Sequence, residues 1–137
     1  MGLILDTSVI VRDERRGKSV SEILAQIRGT YGETEVGVSV VTIAELTHGV
    51  ARSKLESQRL RSQAFVDDVL ATLTVYPVTA DIAVRVGVIS GQEAARGITL
   101  PFEDLLIGAT ALQLGFELLT HNARHFEMIP HLVVKQP

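Results

Sequence analysis

A chain of 137 residues is long enough to bury one substantial core and too short for two. With 46% apolar and 21% charged residues it reads as a folded globular domain rather than a disordered one. A formal net charge of −3 excludes nucleic-acid binding by bulk positive charge, so an RNA ligand would need a local basic patch and a metal ion. No cysteine is present, which excludes disulfides and thiolate metal sites and fits a reducing cytoplasm. No run approaches the length of a membrane span and no leader pattern opens the chain, so no membrane partner is expected.

Gly2-Leu3-Ile4-Leu5 is a short apolar run that predicts a fully buried strand. Asp6, at its end, suits two roles at once: an N-cap for the turn opened by Thr7-Ser8, and a site residue at the carboxyl end of a central strand. Arg12 to Lys18 is charged and turn-like. Ser19 and Glu22 are spaced as a capping box, which predicts a helix from Ser19 to the Gly29–Gly32 stretch, with Ile23, Leu24 and Ile27 inward.

Val36 to Val41, rich in β-branched residues, predicts a second strand. Thr42 and Glu45 again have capping-box spacing, yet Glu45, like Asp6, is an acid just after a strand. Helix is expected on to Arg52, then from about Leu55 to Leu73 with Leu60, Ala64, Val69 and Leu73 facing the core. Thr74 to Val78 predicts a third strand, placed at an edge by Pro77. A helix from Asp81 would turn Ile82, Ala83, Val86 and Ile89 inward.

Pro101 fits the first turn of a further helix that runs to Gly115 and is apolar almost all the way round, so it should be buried. Glu103 and Asp104 enter in its first turn. Acids there complement the helix dipole, but an acid at the buried end of a helix also calls for a partner, and a cation is one. Phe116 to Thr120 predicts a fourth strand, which delivers His121-Asn122-Ala123-Arg124-His125-Phe126, and Leu132 to Val134 a last one. Strands alternating with helices imply a single α/β domain with a mostly parallel central sheet flanked by helices.

In such a sheet the strand carboxyl ends share one edge, so Asp6, Glu45, Asp104 and Asn122 can converge. Three clustered carboxylates repel unless a cation neutralises them, and all-oxygen ligation points to Mg²⁺ or Mn²⁺ rather than zinc. Such a centre suits phosphodiester hydrolysis. Arg12, Arg15, Arg16 and Arg124 are candidate RNA contacts, and His121 and His125 could meet a phosphate or a leaving group.

Four motifs in order carry a family resemblance. They are Leu5-Asp6-Thr7-Ser8, Ala44-Glu45-Leu46-Thr47-His48-Gly49, Pro101-Phe102-Glu103-Asp104-Leu105-Leu106-Ile107-Gly108-Ala109 and Thr120-His121-Asn122-Ala123-Arg124-His125-Phe126. Together they resemble the PIN domain, and within it the VapC-type toxins of prokaryotic toxin–antitoxin pairs, over nearly the whole chain. The resemblance implies a Mg²⁺- or Mn²⁺-dependent endoribonuclease, inhibited by a small cognate antitoxin and often homodimeric. It makes Asp6 and Asp104 the principal metal ligands and Glu45 a ligand or water-positioning base. Asn122 takes the fourth position, with Thr7 or Ser8 supporting the cluster by hydrogen bonds. Many relatives carry a further acid where Asn122 or His125 stands here, so one metal bound before substrate is the expectation. An aspartyl-nucleophile phosphatase would need a second Asp where Ser8 stands, and a phosphoacceptor receiver would need a late lysine before Lys135. The remaining alternative is a degenerate module that keeps the fold and binds RNA or protein without cutting.

Overall fold

The computed structural model describes all 137 residues. In chain order the elements are β1 (Gly2–Leu5), α1 (Thr7–Arg15), α2 (Val20–Tyr31), β2 (Glu35–Ser39), α3 (Val40–Arg52) and α4 (Glu56–Thr72), followed by β3 (Thr74–Tyr76), α5 (Ala80–Ala95), α6 (Phe102–Leu114), β4 (Glu117–Leu119), α7 (Ala123–Phe126) and β5 (Val134–Lys135). The strands form one sheet in the order β3-β2-β1-β4-β5, and every pairing is parallel. The expected α/β architecture holds. No helix is long and apolar enough to cross a membrane.

A parallel sheet covered on both faces needs strands apolar on both sides, and successive side chains then enter different cores. Leu3, Leu5, Val36, Val38 and Leu119 pack with α1 to α4 on one face. Ile4 and Leu118 pack with α5, α6 and Phe126 on the other. β1 lies in the middle with all four residues buried, so Asp6 emerges from the best-protected strand of the sheet.

Several boundaries differ from the sequence expectation. Arg12 to Arg15 are helical, because Val9 and Ile10 anchor α1 from below. Val40 and Val41 open α3 instead of extending β2: the Ser39 hydroxyl accepts the Val41 N–H at 3.1 Å, capping the helix three residues earlier than expected. Thr42 is therefore a buried residue inside α3, and the Thr42–Glu45 capping box does not form. The Ser19–Glu22 box does form, in both directions. On α4, Leu60 and Ala64 face solvent, while Val66, Val69 and Leu73 are buried. Ala83 faces outward on α5. The last strand pairs through Val134 and Lys135 rather than Leu132 to Val134.

Helix α6 is buried along most of its length, as its composition requires, with Pro101 at the N-cap rather than inside the first turn. Gly115 ends it in the left-handed conformation, φ 69°, which favours glycine. Gly108 is needed for another reason. A β-carbon there would stand 2.6 Å from Ile129 Cδ1, so the absence of a side chain sets how closely the segment after α7 can approach α6.

Candidate active site

Asp6 follows β1, with its backbone N–H donating to the Leu119 carbonyl of β4 at 2.9 Å. It occupies the N-cap position of α1 but its side chain makes no capping hydrogen bond. Its Oδ2 instead accepts from two hydroxyls, Ser8 Oγ at 2.7 Å and Thr120 Oγ1 at 2.8 Å. Oδ1 accepts from no protein donor and is not sealed from water. The carboxylate is held by one oxygen and presents the other.

The two hydroxyls are tied in turn to the loop after β4. Ser8 Oγ accepts the His121 N–H at 3.1 Å, and Thr120 Oγ1 accepts the Asn122 N–H at 2.9 Å. Each hydroxyl gives its proton to Asp6 and takes one from the loop, so their orientations are fixed.

Glu45 lies in the second turn of α3, where its Oε1 accepts from Thr7 Oγ1 at 2.7 Å; the Thr42 hydroxyl stands 2.9 Å from the same Thr7 oxygen. Asp104 lies in the first turn of α6, and its Oδ2 is 3.1 Å from His125 Nδ1. Burial pushes the Glu45 carboxyl above the usual range; the Thr7 hydrogen bond pulls it down, and the charges of Asp6, Asp104 and Glu103 raise it further. Asp104 is likewise raised, first by burial and then by Asp6, against the lowering influence of His125. The charges of the acids that follow β1 and lie in α3 and α6 thus influence one another. No three acidic or histidine side chains stand close enough to form a ready-made metal cage.

Residues 3–132 match the PIN domain family. Ribonuclease VapC1 of Rickettsia felis is 33% identical over 134 residues, 98% of this chain and 95% of the relative. Ribonuclease VapC19 of Mycobacterium tuberculosis is 34% identical, covering 94% of this chain and 95% of its own. The chain is a PIN domain of the VapC family. Its fold matches the crystal structure of VapBC2 from Rickettsia felis bound to a promoter DNA fragment, with a TM-score of 0.83 at 24% identity over 99% of this chain and 98% of that one. DNA-bound VapBC from Salmonella typhimurium gives 0.82 at 23% identity over the same shares of each chain.

In this PIN domain Asp6, Glu45 and Asp104 lie near enough for their charges to influence one another, without the three closing on a common point. Thr7 and Ser8 support different acids: Thr7 holds Glu45 and Ser8 holds Asp6. Asn122 stands on the rim as the N-cap of α7, exposed, and attached to the cluster through its backbone rather than its side chain. Arg12, Arg15 and Arg16 line a concavity with Ser8 and His121, and Arg124 lines another with Asn122 and His125. Thr120, and the pairing of His125 with Asp104, were not singled out from sequence. Thr120 is fully buried and the polar end of an apolar strand, which was the available signal. The pairing of His125 with Asp104 had none, because 21 residues separate them.

Proposed function

We propose that this PIN domain is a Mg²⁺- or Mn²⁺-dependent endoribonuclease, the toxin of a VapBC-type pair. The observation that carries the reading is the set of three acids from separate elements, each oriented by its own donor, with the carboxyls of Glu45 and Asp104 raised first by burial and then by the neighbouring acids. Their donor atoms are all oxygens, and an open arrangement suits a small hard cation that keeps several waters and takes the rest of its shell from carboxylates and phosphate. Asp6 and Asp104 would hold the ion, with Glu45 as a further ligand or as the base beside it. When bound, such an ion polarises the phosphate, lowers the pKa of an attacking water and neutralises the leaving oxygen.

The chain's own residues supply the rest. Asp6 is fixed by Ser8 and Thr120, so it can present Oδ1 without reorganising. Glu45, with a raised proton affinity and Thr7 holding Oε1, is suited to take a proton from water as the water oxygen bonds to phosphorus. The ester P–O bond breaks, the leaving oxygen takes a proton from solvent water, and Glu45 returns its proton to solvent. Arg12, Arg15, Arg16 and Arg124 offset the repulsion between an acidic cleft and RNA phosphates.

A cognate VapB-like antitoxin is the proposed protein partner, following the names of the relatives. A groove between α1, α3 and α4 supports this: Val11, Leu46, Val50 and Val66 line it among polar residues that include Glu14, Arg15 and Gln58, Glu45 opens onto it, and the space above Gly49 is empty. An amphipathic helix could lie there and cover the site. A homodimer belongs to the same proposal.

The test is cleavage of total RNA by the purified protein with Mg²⁺, with Mn²⁺ and with EDTA, beside Asp104→Asn. Metal-dependent fragments that vanish in the variant are expected. RNA binding without cleavage in any metal would replace this reading with the binding module.

A further inference from the structure

Arg12 and His121 are 109 residues apart in sequence and in contact in the fold: Arg12 Nη1 stands 3.0 Å from His121 Nδ1. A guanidinium is always charged and can only donate. His121 Nδ1 is therefore the acceptor, and the ring is the neutral tautomer with its proton on Nε2. Burial and the Arg12 charge also lower the proton affinity of the ring. Nε2 has no protein partner and is not sealed from water. A histidine held in one tautomer, with its free donor outward, is ready for an acceptor.

Position says which acceptor. The His121 backbone N–H donates to Ser8, and Ser8 donates to Asp6, so the ring is fastened to the support of the acid cluster. It borders the concavity lined by Ser8, Val11, Arg12, Arg15 and Arg16, in which one residue is apolar and three are cationic. Three guanidinium groups exclude a cation from this place, and Nδ1 is already occupied. What fits is a phosphate next to the one at the acids.

We infer that Arg12 and His121 form a two-sided grip on a backbone phosphate of the RNA adjacent to the scissile one, His121 giving a neutral Nε2–H and Arg12 its remaining guanidinium donors. The inference rests on the ribonuclease reading. It separates the two histidines: His121 serves substrate binding, whereas His125 is bound to Asp104.

Two replacements of His121 test it, because each reproduces the hydrogen-bonding role of one ring nitrogen. In His121→Asn the amide oxygen can still accept from Arg12 but the distal donor is lost. His121→Gln carries an amide N–H out to the Nε2 position. With a short labelled single-stranded RNA, His121→Asn should raise KM about tenfold, with kcat changed by less than about twofold, the size expected for one hydrogen bond to a charged group. His121→Gln should stay within about threefold of the parent on the same grounds. Arg12→Gln should raise KM and flatten the slope of log affinity against log salt by about 0.7, measured in EDTA. Thermal melting of each variant reports folding separately. Parent protein that cuts RNA while both His121 variants match it in KM overturns the grip alone. A loss confined to kcat, or equal in Asn and Gln, overturns it as well. Parent protein that neither binds nor cuts RNA overturns the ribonuclease reading and this inference together.

Discussion

Thr120 donates its hydroxyl proton to Asp6 Oδ2 at 2.8 Å across 114 residues of sequence, and both residues are buried. This bond joins the ends of the two central strands β1 and β4, so the site and the sheet are stabilised by the same contact. Thr120→Val keeps the shape and removes the donor. It should cost about 1–3 kcal/mol of stability, the penalty for an under-satisfied buried carboxylate, and lower cleavage, while Thr120→Ser restores both. Equal melting temperatures for Val and the parent would contradict this account.

Asp104→Asn and Asp6→Asn should each abolish cleavage and leave the fold intact. For Asp104 there is also a pH signature. Its folded carboxyl is raised above the ordinary value, so the folded state holds the proton more tightly than the unfolded one. Stability from this group is present at low pH and is lost as the pH rises through the folded pKa. Without metal, Asp104→Asn should therefore melt at or above the parent at pH about 7, and the gap should close toward pH about 3, where both carboxyls are protonated. A parent that is the more stable at neutral pH in EDTA would reverse the sign.

Gly108→Ala places a β-carbon 2.6 Å from Ile129 and 3.2 Å from Leu132. Both neighbours sit behind α7, so relief must come from moving the segment that follows the site. We expect a loss of about 1–3 kcal/mol, measured by denaturant unfolding. Gly49→Ala meets nothing within 4 Å and should leave stability unchanged or slightly raised, since alanine is the better helix former.

Tyr76 Oη donates to Glu35 at 2.6 Å, and burial together with this carboxylate pushes the phenol up to about 12. Its contribution to stability is present below the ordinary tyrosine pKa of about 10 and is lost as the pH climbs toward 12. Ultraviolet titration should show a phenol ionising near the top of the range, and Tyr76→Phe should remove that step. A single transition near pH 10 for both tyrosines of the chain would refute it.

Periodicity and punctuation were enough to locate the buried strand Gly2–Leu5, the capped start of α2 at Ser19 and the buried helix ending at Gly115. These signals are local: hydrogen bonds and side-chain patterns within a few residues decide them. The same reasoning misplaced the start of α3, because Ser39 and Thr42 are both good caps and only the sheet decides between them. β2 pairs as far as Ser39 and no further. It also turned Leu60 and Ala64 of α4 inward, since the apolar residues of that helix are spread around it and do not mark one face.

The sequence by itself singled out the candidate acids: acids after a buried strand and at the start of a buried helix are costly to place and therefore conspicuous. It also determined the layer architecture, through the alternation of strands and helices. Only the tertiary structure decided which donor holds which acid. Thr7 serves Glu45, Ser8 and Thr120 serve Asp6, His125 serves Asp104, and Arg12 fixes His121. Each of those bonds except that of Ser8 spans more than 20 residues of chain. A hydrogen bond needs placement to a few tenths of an ångström, and that precision comes from how the sheet and helices pack, not from the spacing of residues along the chain.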